Sequence, residues 1–393
     1  MSAVLVFLLL LTGLLLKFVY VPAPDRAYDS IVTLVNQVPF GQLLRNVHRW
    51  GANGLIFLVF MHLLRVFYTG AYAAPRQLNW IIGLTLFTAV LLSGFTGYLL
   101  PWDQIAYWAI TISTSMLDYI PAVGASLKEW LLGGSEPGSQ TLINFYAIHT
   151  AILPALLLSF LPFHFWRIRK ANGLVIPRSV EEDPSVRGEM VEAMPHQTAR
   201  EVSFALLVLA TVLLIAMFVD APLADKANPG LSPNPTKAPW YFMGVQELLM
   251  HFHPVFATLV IPVLLLFGLL SIPYIKYEAN TSGIWFCSPK GLKMALVAIV
   301  FATLLTVGAV LLDEFVITAS HTAPPDMISN GLLPFGIVLV ICAGCYFGMK
   351  RGFAATNNET VQALFTLLIT AFVTLTVIGV WFRGPGMQLM WAG

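Results

Sequence analysis

The chain has 393 residues, 58% of them hydrophobic and 10% charged, with a net charge of +1. A soluble domain carries about 25% charged residues, so this composition, with a mean hydropathy of +0.78, excludes a soluble protein and reads as an all-α integral membrane protein. The near-neutral charge gives no reason to expect a nucleic-acid partner.

A membrane span needs about 20 apolar residues. Nine candidates follow in chain order, at 2–20, 47–68, 79–100, 143–167, 202–220, 254–275, 291–312, 332–349 and 360–381. The first lacks a basic leading region and a small-residue cleavage site, so it reads as a membrane helix rather than a secretory signal. The most polar segment, 171–200, reads as a linker between two parts. The connections at 101–140 and 221–253 are long with short amphipathic pieces, and such loops are more often functional than idle. Arg65, Arg76, Arg167, Arg169, Lys170, Arg178, Lys276, Lys290, Lys293, Lys350 and Arg351 follow spans two, four, six and eight. The positive-inside rule makes those loops cytoplasmic, with the amino terminus inside and the carboxyl terminus outside. Of the three cysteines, none sits in a Cys-x-x-Cys-His run, so no covalent c-type haem is expected. Cys342 and Cys345 share a face of one apolar helix and read as a buried pair of small side chains.

Four histidines fall within spans: His48 and His62 in the second, His149 and His164 in the fourth. Spacings of 14 and 15 residues separate each pair by ~21–22 Å along its helix. The members of each pair lie on nearly one face. The two helices run in the same direction, which sets His48 level with His149 and His62 level with His164. Two levels of facing imidazoles are what two bis-histidine haems stacked across a membrane require. Polar residues paired across helices would explain a lone histidine better than two matched pairs. Arg45 and Arg65 lie one turn outward from His48 and His62, where a haem propionate needs a cation. Gly83 and Gly97, also 14 apart in the third span, would let flat rings approach the backbone; ordinary helix packing explains either alone.

The stretches "RNVHRWGANGLIFLVFMHLLRVFYTG", "GFTGYLLPWDQIAYWA" and "TLINFYAIHTAILP" resemble cytochrome b of bc1 and b6f complexes. The 15-residue histidine spacing is closer to the b6 type, and 187–312 resembles subunit IV fused into the same chain. The organisation implied is a di-haem four-helix bundle at 1–170, a cytoplasmic linker at 171–200, a quinol-site domain at 201–312 and two additional spans at 313–393. The resemblance implies haem b on His48 and His149 at an outer, low-potential site, and on His62 and His164 at an inner, high-potential site. Quinol would be oxidised near the outer haem. One electron would go to a Rieske iron–sulfur protein or c-type cytochrome, and the other through both haems to an inner quinone, with proton translocation. The family also implies a homodimer and, for this layout, a bacterial cytoplasmic membrane. "GYLLPWDQIAYW", including Tyr98, and the loop around Trp240 and Tyr241 would wall the outer pocket.

Three departures stand out. Where the family reads Pro-Glu-Trp-Tyr, this chain has Ala238-Pro239-Trp240-Tyr241. The quinol's proton would then need another base, with Glu247, expected to be buried with a raised pKa, and Asp103 as candidates. His251 and His253 read as exposed loop histidines, either of which could relay a proton. The first span holds Gly13 but no second glycine 14 residues earlier; that position, and the cysteine that anchors an extra haem in b6f complexes, would fall before Met1. The tail "WFRGPGMQLMWAG" extends past the subunit IV pattern and reads as an interfacial anchor or a docking segment. The missing acid fits menaquinol, which is easier to oxidise. It also leaves open a linear conduit passing electrons between the quinone pool and outer multihaem cytochromes without bifurcation. A di-haem dehydrogenase anchor would not need the Trp-Tyr loop or the second half.

Overall fold

The computed structural model describes residues 1–182, 192–317 and 326–390. Part of the expected linker, 183–191, and the last three tail residues lie outside them. Thirteen principal helices follow in order. They are α1 (Ser2–Leu16), α2 (Ala27–Gln37), α3 (Gly41–Tyr68), α4 (Gln77–Leu99), α5 (Gln104–Ser115), α6 (Gly124–Leu132) and α7 (Ser139–Lys170). The second half holds α8 (Thr198–Phe218), α9 (Met243–His251), α10 (Phe256–Tyr274), α11 (Pro289–Val316), α12 (Ile328–Gly352) and α13 (Asn357–Phe382). Among the described residues there is no sheet, only isolated bridges at Asp103–Lys226 and Arg383–Leu389.

Among the described residues, eight helices are long and apolar enough to cross a membrane. The ninth candidate, expected over 2–20, is a 15-residue helix ending at Leu16, because Tyr20 leaves the helix to donate from its hydroxyl to the Leu100 carbonyl. The amphipathic pieces expected in the two long loops are α5, α6 and α9.

Helix starts follow local chemistry. Asp103 caps α5 by accepting from the Ala106 amide, and Ser288 caps α11 through the Gly291 amide. Thr356 and Glu359 form a reciprocal capping box at α13, which satisfies two amides that the helix itself leaves unpaired.

The first core joins α1, α3, α4, α7 and α8 through Leu5, Val47, Leu55, Ile56, Val90, Leu157 and Val212, with Tyr241 from the long outer loop closing it. Asn46 ties α3 to the end of α8, donating to the Ala216 carbonyl and Asp220 while accepting from the Ala221 amide. A second core, at the opposite end of α3, stacks Phe67 on Phe365 of α13 at 3.8 Å and packs Tyr72, Trp80 and Ile272 around them. The last helix is thus wedged against the first bundle. Cys342 and Cys345, expected to be buried, are only half-buried on α12, where Cys345 meets Ala298, Ala302 and Leu367.

The tail does not extend freely. It turns back after α13, with the Met390 amide donating to the Phe382 carbonyl.

Candidate functional site

α3 and α7 bring the four histidines together as two pairs. The His48 and His149 ring centroids are 6.4 Å apart, and those of His62 and His164 are also 6.4 Å apart. Two metal–nitrogen bonds of about 2 Å plus two ring radii of about 1.1 Å come to roughly 6 Å. One metal atom therefore fits between each pair.

The rings of the His48–His149 pair, the one expected to lie toward the outside, are oriented by hydroxyls that sequence reading missed. Thr12 donates to the Leu8 carbonyl at 2.8 Å and lies 2.9 Å from His48 Nδ1. Thr96 donates to the Leu92 carbonyl at 2.8 Å and lies 3.1 Å from His149 Nδ1. A hydroxyl that has given away its hydrogen can only accept, so each Nδ1 carries the ring hydrogen and each Nε2 keeps its lone pair for a metal. The only sequence signal was a threonine beside a glycine, in Thr12-Gly13, and one residue before Gly97.

Those glycines are needed. A Cβ at Gly97 would lie 2.6 Å from His149 Cε1, and one at Gly13 would lie 3.2 Å from His48 Cε1. Gly83 is less confined, with His164 Cε1 at 3.5 Å.

The inner pair opens on a cavity of about 310 Å³ bordered by Gly83, Arg65, Arg76 and Asn79. His164 Nδ1 and Asn79 Oδ1 are buried there without a partner among the described residues. Apolar walls with orphaned polar atoms and two lining cations, Arg65 and Arg76, the latter also donating to the Ala171 and Gly173 carbonyls, suit a flat, anionic-tailed ring system, and the residues fit a haem. Arg45, expected to serve an outer propionate, instead donates to the Ala221 and Pro222 carbonyls at 2.7 and 2.6 Å.

The outer loop is anchored to both bundle helices. Trp240 Nε1 donates to Asn53 Oδ1 of α3 at 2.8 Å. Buried Tyr241 reaches α4, where a Cβ on Gly94 would meet its hydroxyl at 3.0 Å; burial raises its pKa well above the usual phenol range. Tyr98 lies under the Arg49 guanidinium at 5.1 Å.

The expected bases are engaged elsewhere. Both Asp103 oxygens accept backbone amides, from Ala106 at 2.8 Å and Ala224 at 3.0 Å. Glu247 is fully buried and holds Arg383 through three contacts of 3.0–3.2 Å. Its pKa is lowered, not raised. Burial pushes it up, but hydrogen bonds and charge from His251 and Arg383 outweigh that. His251 is nearly buried rather than exposed, with Nδ1 2.6 Å from Asp313 and Nε2 3.6 Å from Glu247. Arg383 also pairs with Glu314 at 2.9 Å. His253 packs its ring against Tyr119.

The profile described as cytochrome b(N-terminal)/b6/petB matches residues 53–235. Cytochrome b6 of Heliomicrobium gestii is 44% identical over 159 residues, 40% of this chain and 75% of that protein. The menaquinol:cytochrome c reductase cytochrome b subunit of Geobacillus thermodenitrificans is 44% identical over 162 residues, 41% of this chain and 72% of that one. A solved chain from a hyperthermophilic respiratory Complex III superposes with a TM-score of 0.70 at 23% identity, covering 96% of this chain and 89% of that one. That likeness concerns the fold, and it takes in the last two spans as well as the first seven. With a bundle of paired histidines, a Trp-Tyr loop and relatives of this identity and coverage, the chain belongs to the cytochrome b/b6 family.

Proposed function

We propose that the chain is the di-haem cytochrome b subunit of a bc-type quinol oxidoreductase. The observation that carries this is the pair of facing imidazole sets on the same two helices, one toward each end. Bound haem b supplies one-electron carriers at those positions. His48 and His149 would hold the outer haem and His62 and His164 the inner, with Arg65 and Arg76 offering cations at the inner cavity.

Trp240, Tyr241 and Tyr98 would wall the outer quinol pocket, and the buried Tyr241 phenol would orient a quinol rather than take its proton. Glu247 and Asp103 act in this reading as anchors of that pocket. Menaquinol is the proposed substrate, supported by the altered loop acid and by the name of the Geobacillus relative. One electron would go to a Rieske protein or c-type cytochrome and the other through both haem positions to a quinone at the inner side, with protons released outside. The cationic loops support a bacterial cytoplasmic membrane with the amino terminus inside, and the division at 170, 200 and 312 separates haem bundle, linker, quinol domain and terminal spans. A homodimer is proposed on family grounds.

The engagement of both candidate bases favours one second reading, the linear conduit without bifurcation. Oxidant-induced reduction separates the two. The purified complex is mixed with quinol, the inner site is blocked, and an oxidant pulse is added. A transient rise in reduced b-haem absorbance supports bifurcation; monotonic oxidation with intact haems replaces it with the conduit.

A further inference from the structure

We propose that Arg383 and the turn after α13 are positioning elements of the outer quinol-site loop; the proposal rests on the quinol-oxidising reading. Three sets of contacts converge on this assignment.

First, the last turn of α13 and the turn that follows it grip the loop ahead of Trp240. Lys237 Nζ donates to the Val380 carbonyl at 3.0 Å, and the Gly386 amide donates to Asn234 Oδ1. Second, α9, which begins directly after the Trp-Tyr pair, lies flush on α13. A Cβ on Gly244 would meet Phe372 at 2.6 Å and Thr376 at 2.8 Å, and one on Gly379 would meet Met243 at 2.6 Å. Third, the far end of α9 is locked by charge. Arg383 is 3% exposed and Glu247 0%, and around them stand His251 on α9 and Asp313 and Glu314 at the end of α11.

Three carboxylates thus face one guanidinium and one imidazole, and Arg383 alone touches both Glu247 and Glu314. Within the loop, Gln246 accepts from the Ala238 amide and donates to the Thr236 carbonyl, so 236–246 moves as one piece. Its other side is fixed to the bundle by Trp240 on Asn53 and Tyr241 beside Gly94. The loop is therefore clasped between α3 and α4 on one side and the tail on the other. Removing the guanidinium leaves the buried Glu247 carboxylate with only the His251 imidazole, at 3.6 Å, to balance its charge, a shortfall that local opening would relieve.

The test is hydrogen–deuterium exchange on the intact complex, read at 234–246, with Arg383→Gln and Arg383→Lys. The Gln variant is expected to exchange on the order of a hundredfold faster there, with 41–68 unchanged and the haem spectrum intact. The Lys variant, which keeps the charge, is expected to fall between it and wild type. With a short-chain naphthoquinol, KM of the Gln variant is expected to rise about tenfold, a loss of roughly 1.4 kcal/mol in quinol binding, and the Lys variant to recover part of it. Unchanged exchange at 234–246 in the Gln variant overturns the proposal, as does faster exchange with an unchanged KM. Should the Gln variant lose haem, the paired Asn234→Ala and Lys237→Met substitutions carry the test. They cut only the tail-to-loop contacts, and unchanged exchange at 234–242 overturns it. If the wild-type complex does not oxidise naphthoquinol, the quinol reading falls on that result alone, while the exchange data still decide whether Arg383 holds the loop.

Discussion

Replacing Gly97 with alanine tests the imidazole pairs most directly. The added methyl carbon would sit 2.6 Å from His149 Cε1, 3.1 Å from Nε2 and 3.2 Å from Nδ1. Ordinary contact begins at 3.4 Å, so the ring must retreat by at least 0.8 Å. Metal–ligand bonds tolerate deviations of about ±0.2 Å, several times less than that. Overpacking costs about 1–3 kcal/mol, while Gly→Ala in a helix returns at most about 1 kcal/mol. The fold should therefore survive with a displaced ligand. On the proposed di-haem reading, the expected result is an assembled protein that has lost the haem held by His48 and His149 and kept that held by His62 and His164, read as haem content by pyridine haemochrome and as the low-temperature absorption bands. Gly308→Ala is the control, since nothing lies within 4 Å of a Cβ there. Full haem content with an unchanged outer band in Gly97→Ala would refute the close packing of His149 against α4.

Thr96→Val removes the hydroxyl beside His149 Nδ1. A hydrogen bond of about 0.5–1.5 kcal/mol corresponds to a rise of roughly 20–60 mV in the outer haem's potential for a one-electron couple, which redox titration measures. Asp103→Asn keeps a capping side chain and should retain quinol turnover, whereas Asp103→Ala should cost about 1 kcal/mol of stability; abolished turnover in the Asn variant would restore Asp103 as a base. Stability should depend on pH through the outer cluster. Burial lowers the His251 pKa, but hydrogen bonds and charge from Asp313 and Glu247 outweigh it, so the folded value lies above the ordinary 6.5. Its contribution is complete below pH 6.5 and is lost as pH rises through the raised value. Glu247, held below its ordinary 4.5, contributes fully above pH 4.5 and loses its contribution as pH falls through the lowered value. Thermal melts across pH should show the alkaline decline in wild type and a weaker one in His251→Gln.

The membrane-spanning character was legible from composition and from apolar runs long enough to span, and the level of each histidine from helical rise and period, all of which the chain carries locally. The 14- and 15-residue spacings needed only the helical rise to become two facing pairs. Thr12 and Thr96 were not legible: a threonine in an apolar helix usually bonds its own backbone, as these also do, and only the fold sets the hydroxyl against a ring. Glu247 was misread for the same reason. Its burial could be guessed, but the expected pKa shift is reversed by His251, one turn on, together with Arg383, which lies 136 positions away and beyond any local pattern. The first span was overextended because Phe18 and Val19 resume the apolar run after Lys17, while Tyr20 is held outside the helix by a distant carbonyl, that of Leu100.

The threonines divide the two pairs. Both outer rings meet a hydroxyl at Nδ1, whereas His164 Nδ1 meets nothing among the described residues. A ring whose N–H is accepted by a neighbour gives more electron density to its metal, and an electron-richer site is the harder of the two to reduce. If each pair holds a haem and the His48–His149 pair faces outward, as proposed, an electron arriving there would therefore run downhill as it moves inward. In a respiring cell that movement works against the transmembrane field, at about 2.3 kcal/mol per charge for each 100 mV. On the proposed reading, two hydroxyl groups on α1 and α4 supply part of the bias that lets the protein charge the membrane instead of being stalled by it.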